Sequence, residues 1–400
     1  MIVDSGHLTY CSNIHAGESW TAHFAALKHN FSLIKKQVSP DKPMAIGLRL
    51  SNQASLELTD GKQLQEFRQW LQENQAYVFT MNGFPYGEFH HAQVKDMVHA
   101  PDWTTENRLE YTIRLFGILE KLLPEGMEGG ISTSPLSYRH WFKNDQELKE
   151  AKEKALGNIL SVIEELIIIR QEKGIVMHLD IEPEPDGLLE TGREFIQWFE
   201  EDVLPEGKKR LAKQFAITVD EAELLLKDHL NLCYDICHFA VGYEPHAEIL
   251  KELDEKGIKV GKIQISSALK GRMPADLKER SEVVKAFSAF DEPGYLHQVA
   301  AASARGIIRY RDLPEALEDA DNEAVQEWRA HFHVPVFTKE FGLLSSTQND
   351  IEEVLRIHKK KPFTHHLEVE TYTWEVLPQS LKLPIDQSIV RELNWVKELL

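Results

Sequence analysis

Eight short stretches of the chain alternate apolar with polar residues, and longer segments of a different rhythm separate them. The eight read as strands over 8–14 (LTYCSNI), 44–50 (MAIGLRL), 76–82 (AYVFTMN), 129–135 (GGISTSP), 176–182 (VMHLDIE), 230–236 (LNLCYDI), 261–266 (GKIQIS) and 365–371 (HHLEVET). The clearest separator, 147–174, mixes charged and apolar residues at helical spacing and ends in glycine. Segments 59–74, 106–123 and 191–203 read as helices as well. Strands alternating with helices at this separation call for parallel βαβ units rather than hairpins. Eight units predict an α/β fold, a (β/α)₈ TIM barrel, as a single domain over 1–400. The stretch between the seventh and eighth strands, 267–364, is far longer than one crossover helix needs and is expected to be an insertion.

The two faces of each strand differ in chemistry, since successive side chains point to opposite sides. Met177, Leu179 and Ile181 oppose His178, Asp180 and Glu182, and Leu367 and Val369 oppose His366, Glu368 and Glu370. Ile263 and Ile265 oppose Lys262, Gln264 and Ser266. Tyr77, Phe79 and Met81 are set against Thr80 and Asn82, and Cys11, Asn13 and His15 share one parity of the first strand. Apolar faces turned to the helix ring leave the polar faces pointing into the barrel. A half-exposed antiparallel sheet would show the same alternation, but helical separators disfavour it.

Polar residues gather at the C-terminal strand ends, where such barrels build their sites. Glu182, Asp235, Gln264 and Glu370 fall there, and His238 follows Asp235 by three residues. A buried aspartate is costly without a partner. Carboxylates and imidazoles converging from different strands form a ligand set for a divalent ion (Mn, Zn, Mg or Fe), which would neutralise the acids. A hydrogen-bonded polar network without metal is the plainer alternative. In the insertion, WRAHFHVPVF (328–337) puts His331 and His333 on one face of an extended stretch. An isolated HxH is more often structural than not; beside four other candidate ligands the structural and ligand readings are even.

Composition narrows the function classes. The 400 residues are 42% hydrophobic and 27% charged, as in a globular protein with a large core. The formal charge of −19 lacks the basic footprint of a nucleic-acid partner. No apolar run reaches the roughly 18 residues of a membrane span, so no membrane insertion is expected. MIVDSGHLTY does not read as a signal peptide. Three cysteines, Cys11, Cys233 and Cys237, are then expected to be free thiols in a cytoplasmic protein.

The order of a Glu at one strand end, D-x-x-H at the next, a polar residue on the next, an i/i+2 histidine pair and a final E-T resembles the xylose isomerase-like superfamily of TIM barrels, with its sugar isomerases, epimerases and AP endonuclease family 2 enzymes. By that resemblance Glu182, Asp235 and Glu370 fall on carboxylate ligands and His238 on the histidine of D-x-x-H. Gln264 stands where the family usually has histidine, and His331 and His333 where endonuclease-type members have Asp-x-His. The longer phrases LTYCSNIHAGESW, FTMNGFPYGEFH, CYDICHFAV, KIQISSAL, FDEPGYLHQV and HHLEVETYTWEVLP are similar to the EboE-type metabolite traffic family. That likeness implies a role in moving or processing a small-molecule metabolite, with transient contact to a membrane prenyltransferase-like partner.

Three functions follow as expectations. In the first, a metal-dependent isomerase or epimerase polarises a carbonyl and adjacent hydroxyl of a small polyhydroxylated or cyclic metabolite. Glu182, Glu370 and His238 are then the catalytic candidates. His15, Arg49, Asn82, Tyr86 and Glu368 are the substrate-binding candidates. The second is a metal-dependent phosphoesterase-type hydrolase. The third is a protein that holds and hands on a metabolite without turnover, for which the loss of a histidine ligand at Gln264 is the sequence hint. NGFPYG (82–87) reads equally as a substrate-covering loop or an ordinary βα turn. His90 and His91 are expected to face solvent, and Tyr295 and His297 are candidates for lid contacts.

Overall fold

The protein is described from a computed structural model, which covers residues 1–87, 94–372, 377, 382 and 384–400. Eight parallel strands form the barrel: Gly6–Tyr10, Met44–Arg49, Ala76–Asn82, Gly129–Thr133, Met177–Ile181, Leu230–Asp235, Val260–Ile265 and His366–Val369. Neighbours pair in chain order and the eighth pairs with the first. A parallel bridge between Cys11 and Gly47 closes the ring. The fold is the (β/α)₈ barrel that the alternation predicts. The polypeptide 88–93, with His90 and His91, lies outside the described residues.

Parity survives in most strands. Met177, Leu179 and Ile181 join the outer core, whereas Asp180 and Glu368 are fully buried inside the barrel. Two strands depart. The first ends at Tyr10, and Ser12–Ile14 form a single 3₁₀ turn, because the Ser12 hydroxyl accepts the Arg49 N–H at 2.8 Å and draws the chain inward. Asn13 and His15 therefore leave the alternation. In the third, the register slips between Ile46 and Gly47, so Val78 and Met81 face the helices while Phe79 packs against His7 and His366 inside the lower barrel.

Residues 269–346 of the insertion build a six-stranded antiparallel sheet with its own core around Phe287, Trp328, Phe332 and Leu344. The helix Gln348–Lys360 then leads into the eighth strand as an ordinary crossover. The insertion sits on the C-terminal mouth of the barrel: Val94 N–H donates to Gly294 O (2.8 Å), Val334 N–H to Ser267 O (2.9 Å) and Lys95 pairs with Asp312 (2.6 Å). Among the described residues no helix is long and apolar enough to cross a membrane. All three cysteines are free and buried.

Candidate metal centre

Strand ends and insertion each supply half of a buried cluster at the mouth. Glu182 follows the fifth strand, its N–H held by Thr133 O; Asp235 ends the sixth; Glu370 follows the eighth, its N–H held by Ile265 O. Oxygens of the three carboxylates lie within 4.8 Å of one another. Asp235 also caps the short helix Ile236–Val241: its Oδ1 accepts from His238 N–H (3.1 Å) and Ser266 Oγ (2.7 Å). That cap places the His238 ring over the carboxylates.

The imidazoles are set in one tautomer by what their outer nitrogens touch. His238 Nδ1 lies 3.0 Å from Pro183 O and His333 Nδ1 3.1 Å from Glu370 O, and a carbonyl only accepts. His331 Nδ1 lies 2.8 Å from Gln298 Oε1, and the Gln298 amide is oriented by donating its Nε2 to Pro185 O at 3.0 Å. Each ring thus spends its proton outward and turns the Nε2 lone pair inward. His238 Nε2 stands 3.0 Å from His331 Nε2 and 3.4 Å from His333 Nε2. Lone pairs so close repel unless a cation sits between them. Nitrogens bound to one ion at about 2.0–2.1 Å are about 3 Å apart, so the spacing fits a shared metal. Asp235 Oδ2, buried and 3.9 Å from His333 Nε2, has no hydrogen-bond partner. These observations all fit a divalent ion.

The electrostatics agree. Burial, then repulsion from Glu370 and Asp235, pushes the Glu182 carboxyl well above its usual range; burial and Asp235 do the same to Glu370. Burial, followed by the neighbouring His333, drives His238 well below the usual imidazole value, and His331 and His333 are lowered too. Among the described residues, the ion pairs of Glu182, Asp235 and Glu370 are to imidazoles only. Without an ion the cluster holds acids that resist ionisation and imidazoles that resist protonation.

A pocket of ≈ 570 Å³, counted out to the solvent at its mouth, opens above the cluster and is lined by Asn82, Phe84, His99, Glu184, Tyr295 and Tyr372 among others. Asn82 and Asn13 both donate to Glu370 Oε1, at 2.7 and 2.8 Å. Phe84 and Pro85 of the NGFPYG loop face the pocket, while Tyr86 turns away onto Tyr111. Tyr295 lines it from the insertion; His297 instead supports the wall, its Nδ1 on His331 O and its Nε2 on Glu292.

Several sequence candidates sit elsewhere. Glu368 lies inside the barrel, paired with Lys262 at 2.7 Å, both fully buried, and does not reach substrate space. Arg49 pairs with Glu18 at 3.1 Å and donates to Gly87 O, tying down the loop above the second strand. His15 bonds Tyr10 Oη at 3.1 Å and does not line the pocket. Gln264 is separated from Glu182 by the Cys233 thiol, which donates to Gln264 Oε1 at 2.9 Å and lies 3.8 Å from Glu182. Glu184, His99 and Gln298 were missed. His99 is 3.1 Å from Glu184, and burial lowers it to about 3. The second acid of IEPEPD was the available signal for Glu184.

Fold and cluster define the class: a (β/α)₈ barrel with carboxylates and imidazoles converging at its C-terminal mouth. No family model matches the chain, and no curated protein does. Among solved structures it is similar to the IolI protein with a binding zinc atom (13% identity, 98% of this chain and 96% of that chain, TM-score 0.47). It is also similar to a D-tagatose 3-epimerase-like protein (12%, 98% and 96%, TM-score 0.48). A third is the probable 3-DHS dehydratase AsbF, involved in petrobactin synthesis, from Bacillus anthracis (12%, 97% and 97%, TM-score 0.44).

Proposed function

We propose that the chain is a divalent-metal-dependent isomerase or epimerase acting on a small polyhydroxylated or cyclic metabolite, in an EboE-like role in metabolite processing. The observation that carries this reading is the meeting of three imidazole Nε2 atoms, two of them 3.9 Å from Asp235, whose carboxylate clusters with those of Glu182 and Glu370 beneath a small-molecule pocket. Asp235, His238, His331 and His333, with Glu182 and Glu370, would hold the ion. When bound, it supplies Lewis-acid polarisation of a carbonyl and the adjacent hydroxyl.

The two glutamates are held differently, and this divides the roles. Glu370 Oε1 is clamped by two amide N–H donors, which fix it as a ligand. Among the described residues, the Glu182 carboxylate has only the Cys233 thiol and the His238 ring as polar partners, each at 3.8 Å, so it is freer to carry a proton. We assign Glu182 as the base that takes the proton from carbon and returns it, with Glu184 and His99 walling the site against water.

The test is metal content of untagged protein by elemental analysis, beside Asp235→Ala and Glu370→Ala. About one ion per chain more than either variant holds, together with deuterium exchange at a carbinol carbon of a ketose or cyclitol in heavy water, is the expected result. A wild type that stays metal-free after incubation with excess ions overturns the reading and leaves a barrel that holds a metabolite without turning it over.

A further inference from the structure

The opposite end of the barrel carries a second constellation. Glu128 directly precedes the fourth strand, His178 is the second residue of the fifth and His366 opens the eighth. One donor atom from each lies within 4.8 Å of the others. His178 is oriented from behind: Asp180 Oδ1 accepts from its Nδ1 at 2.6 Å, so Nε2 carries the lone pair. The pair fits only because glycines face it. A Cβ on Gly261 would meet Asp180 Oδ1 at 1.9 Å, and one on Gly130 would meet His178 Cε1 at 2.3 Å.

His366 is the telling residue. It is 1% exposed, and neither ring nitrogen has a hydrogen-bond partner, although its ring stands only 5.0 Å from that of His178 and 4.8 Å from Phe79. Buried polar groups are rarely left so. A phenylalanine would pack there equally well; an imidazole calls for something to bind. Glu128 is exposed and rims an open pocket at this end with His7 and His365, so an ion has a way in and a carboxylate that can swing onto it.

We propose that Glu128, His178 and His366 form a second divalent-cation site at the N-terminal end of the barrel, with two imidazoles and one carboxylate, a donor set that suits zinc. It stands apart from the mouth. Such barrels keep chemistry at the C-terminal face and stability at the other, so this ion is structural: it staples the fourth and fifth strands to the eighth across the barrel floor.

Zinc and cobalt(II) are the probes, on the full chain. In the Asp235→Ala/His331→Ala variant, which cripples the mouth, chelator-stripped protein is expected to take up one zinc per chain and to melt higher with it. Adding Glu128→Gln should weaken uptake at least tenfold, and adding His366→Phe should abolish it together with the visible cobalt spectrum. A folded mouth variant that takes up no zinc, or uptake indifferent to both added changes, overturns the site. Should the mouth variant not fold, Glu128→Gln in the otherwise native chain decides. Its exposed position leaves folding intact, and it must lose one equivalent from the zinc isotherm; an unchanged isotherm refutes the proposal.

Discussion

Two layers of buried acid lie one above the other inside this barrel, and the chain treats them in opposite ways. In the lower layer Glu368 meets Lys262 at 2.7 Å, and the ammonium also donates to Met81 O and Ser132 Oγ, both at 3.1 Å. Burial alone would lower Lys262, but the Glu368 carboxylate outweighs it and the lysine stays charged. In the upper layer three carboxylates face three imidazoles and, among the described residues, no lysine or arginine pairs with them. The lower layer is neutralised by the protein; the upper one is left for a cation from outside. Buried charge is tolerated only when paired, so the same physics makes one layer structural and the other a binding site.

The largest break in this comparison is Lys262→Met. Removing the internal cation strands Glu368, which has no exposure and, among the described residues, no second ion-pair partner, and should cost about 3–5 kcal/mol of stability. Because the lower layer makes no use of metal, chemical denaturation should register the same loss in chelator and in excess divalent ion. A loss confined to the metal-loaded form would join the two layers into one network and end the distinction.

Asp235→Asn sharpens the comparison from the other side. Asparagine keeps the helix cap and the Ser266 bond and relieves the repulsion that Asp235 exerts on Glu182 and Glu370, so the metal-free protein should melt no lower than the parent. What should be lost is the share of the gain that the mouth ion supplies, about 2.7 kcal/mol at a hundredfold excess over Kd, leaving the gain from the floor site in place. A variant that keeps the full gain by thermal melts would remove Asp235 from the site.

Strand alternation carries a face but not a depth, and this explains what was legible in the sequence. The polar face of the fifth strand was readable as His178, Asp180 and Glu182, yet each two-residue step moves about 6.6 Å along the barrel axis. His178 lies at the floor beside Glu128 and His366, Asp180 inside and Glu182 at the mouth. Glu368 was mistaken for a pocket residue for that reason: it shares its face with Glu370 but sits one layer down. The acids at strand ends were visible because a carboxylate closing an apolar run has few bland explanations. Glu184, His99 and Gln298 were not, because loops deliver them and the path of a loop is set by tertiary contacts such as Gln298 on Pro185. The histidine pair was visible as a motif; that an independent antiparallel sheet carries it onto the barrel was not.

The upper layer also leaves a signature in pH, smaller and of definite sign. Glu182 and Glu370 are raised above the ordinary 4.5 by burial and then by neighbouring carboxylates, Asp235 acting on both, so the stability they contribute is present below that value and lost as pH rises through the raised one. His238, His331 and His333 are lowered from 6.5, so theirs is present above 6.5 and lost as pH falls, which leaves them nearly flat between pH 6.5 and 8. Chelated protein should therefore lose stability across that window, by up to about 1.4 kcal/mol per pH unit for each carboxyl still protonated. Glu244 and Glu392, each pushed up to about 7 with burial the largest cause, share the sign, so the slope is read as the difference from Glu182→Gln/Glu370→Gln. With metal the slope should reverse, because binding releases protons and tightens as pH rises. Equal slopes in parent and double variant would mean that the two carboxyls are ionised without an ion, and that the upper layer has found a neutraliser of its own.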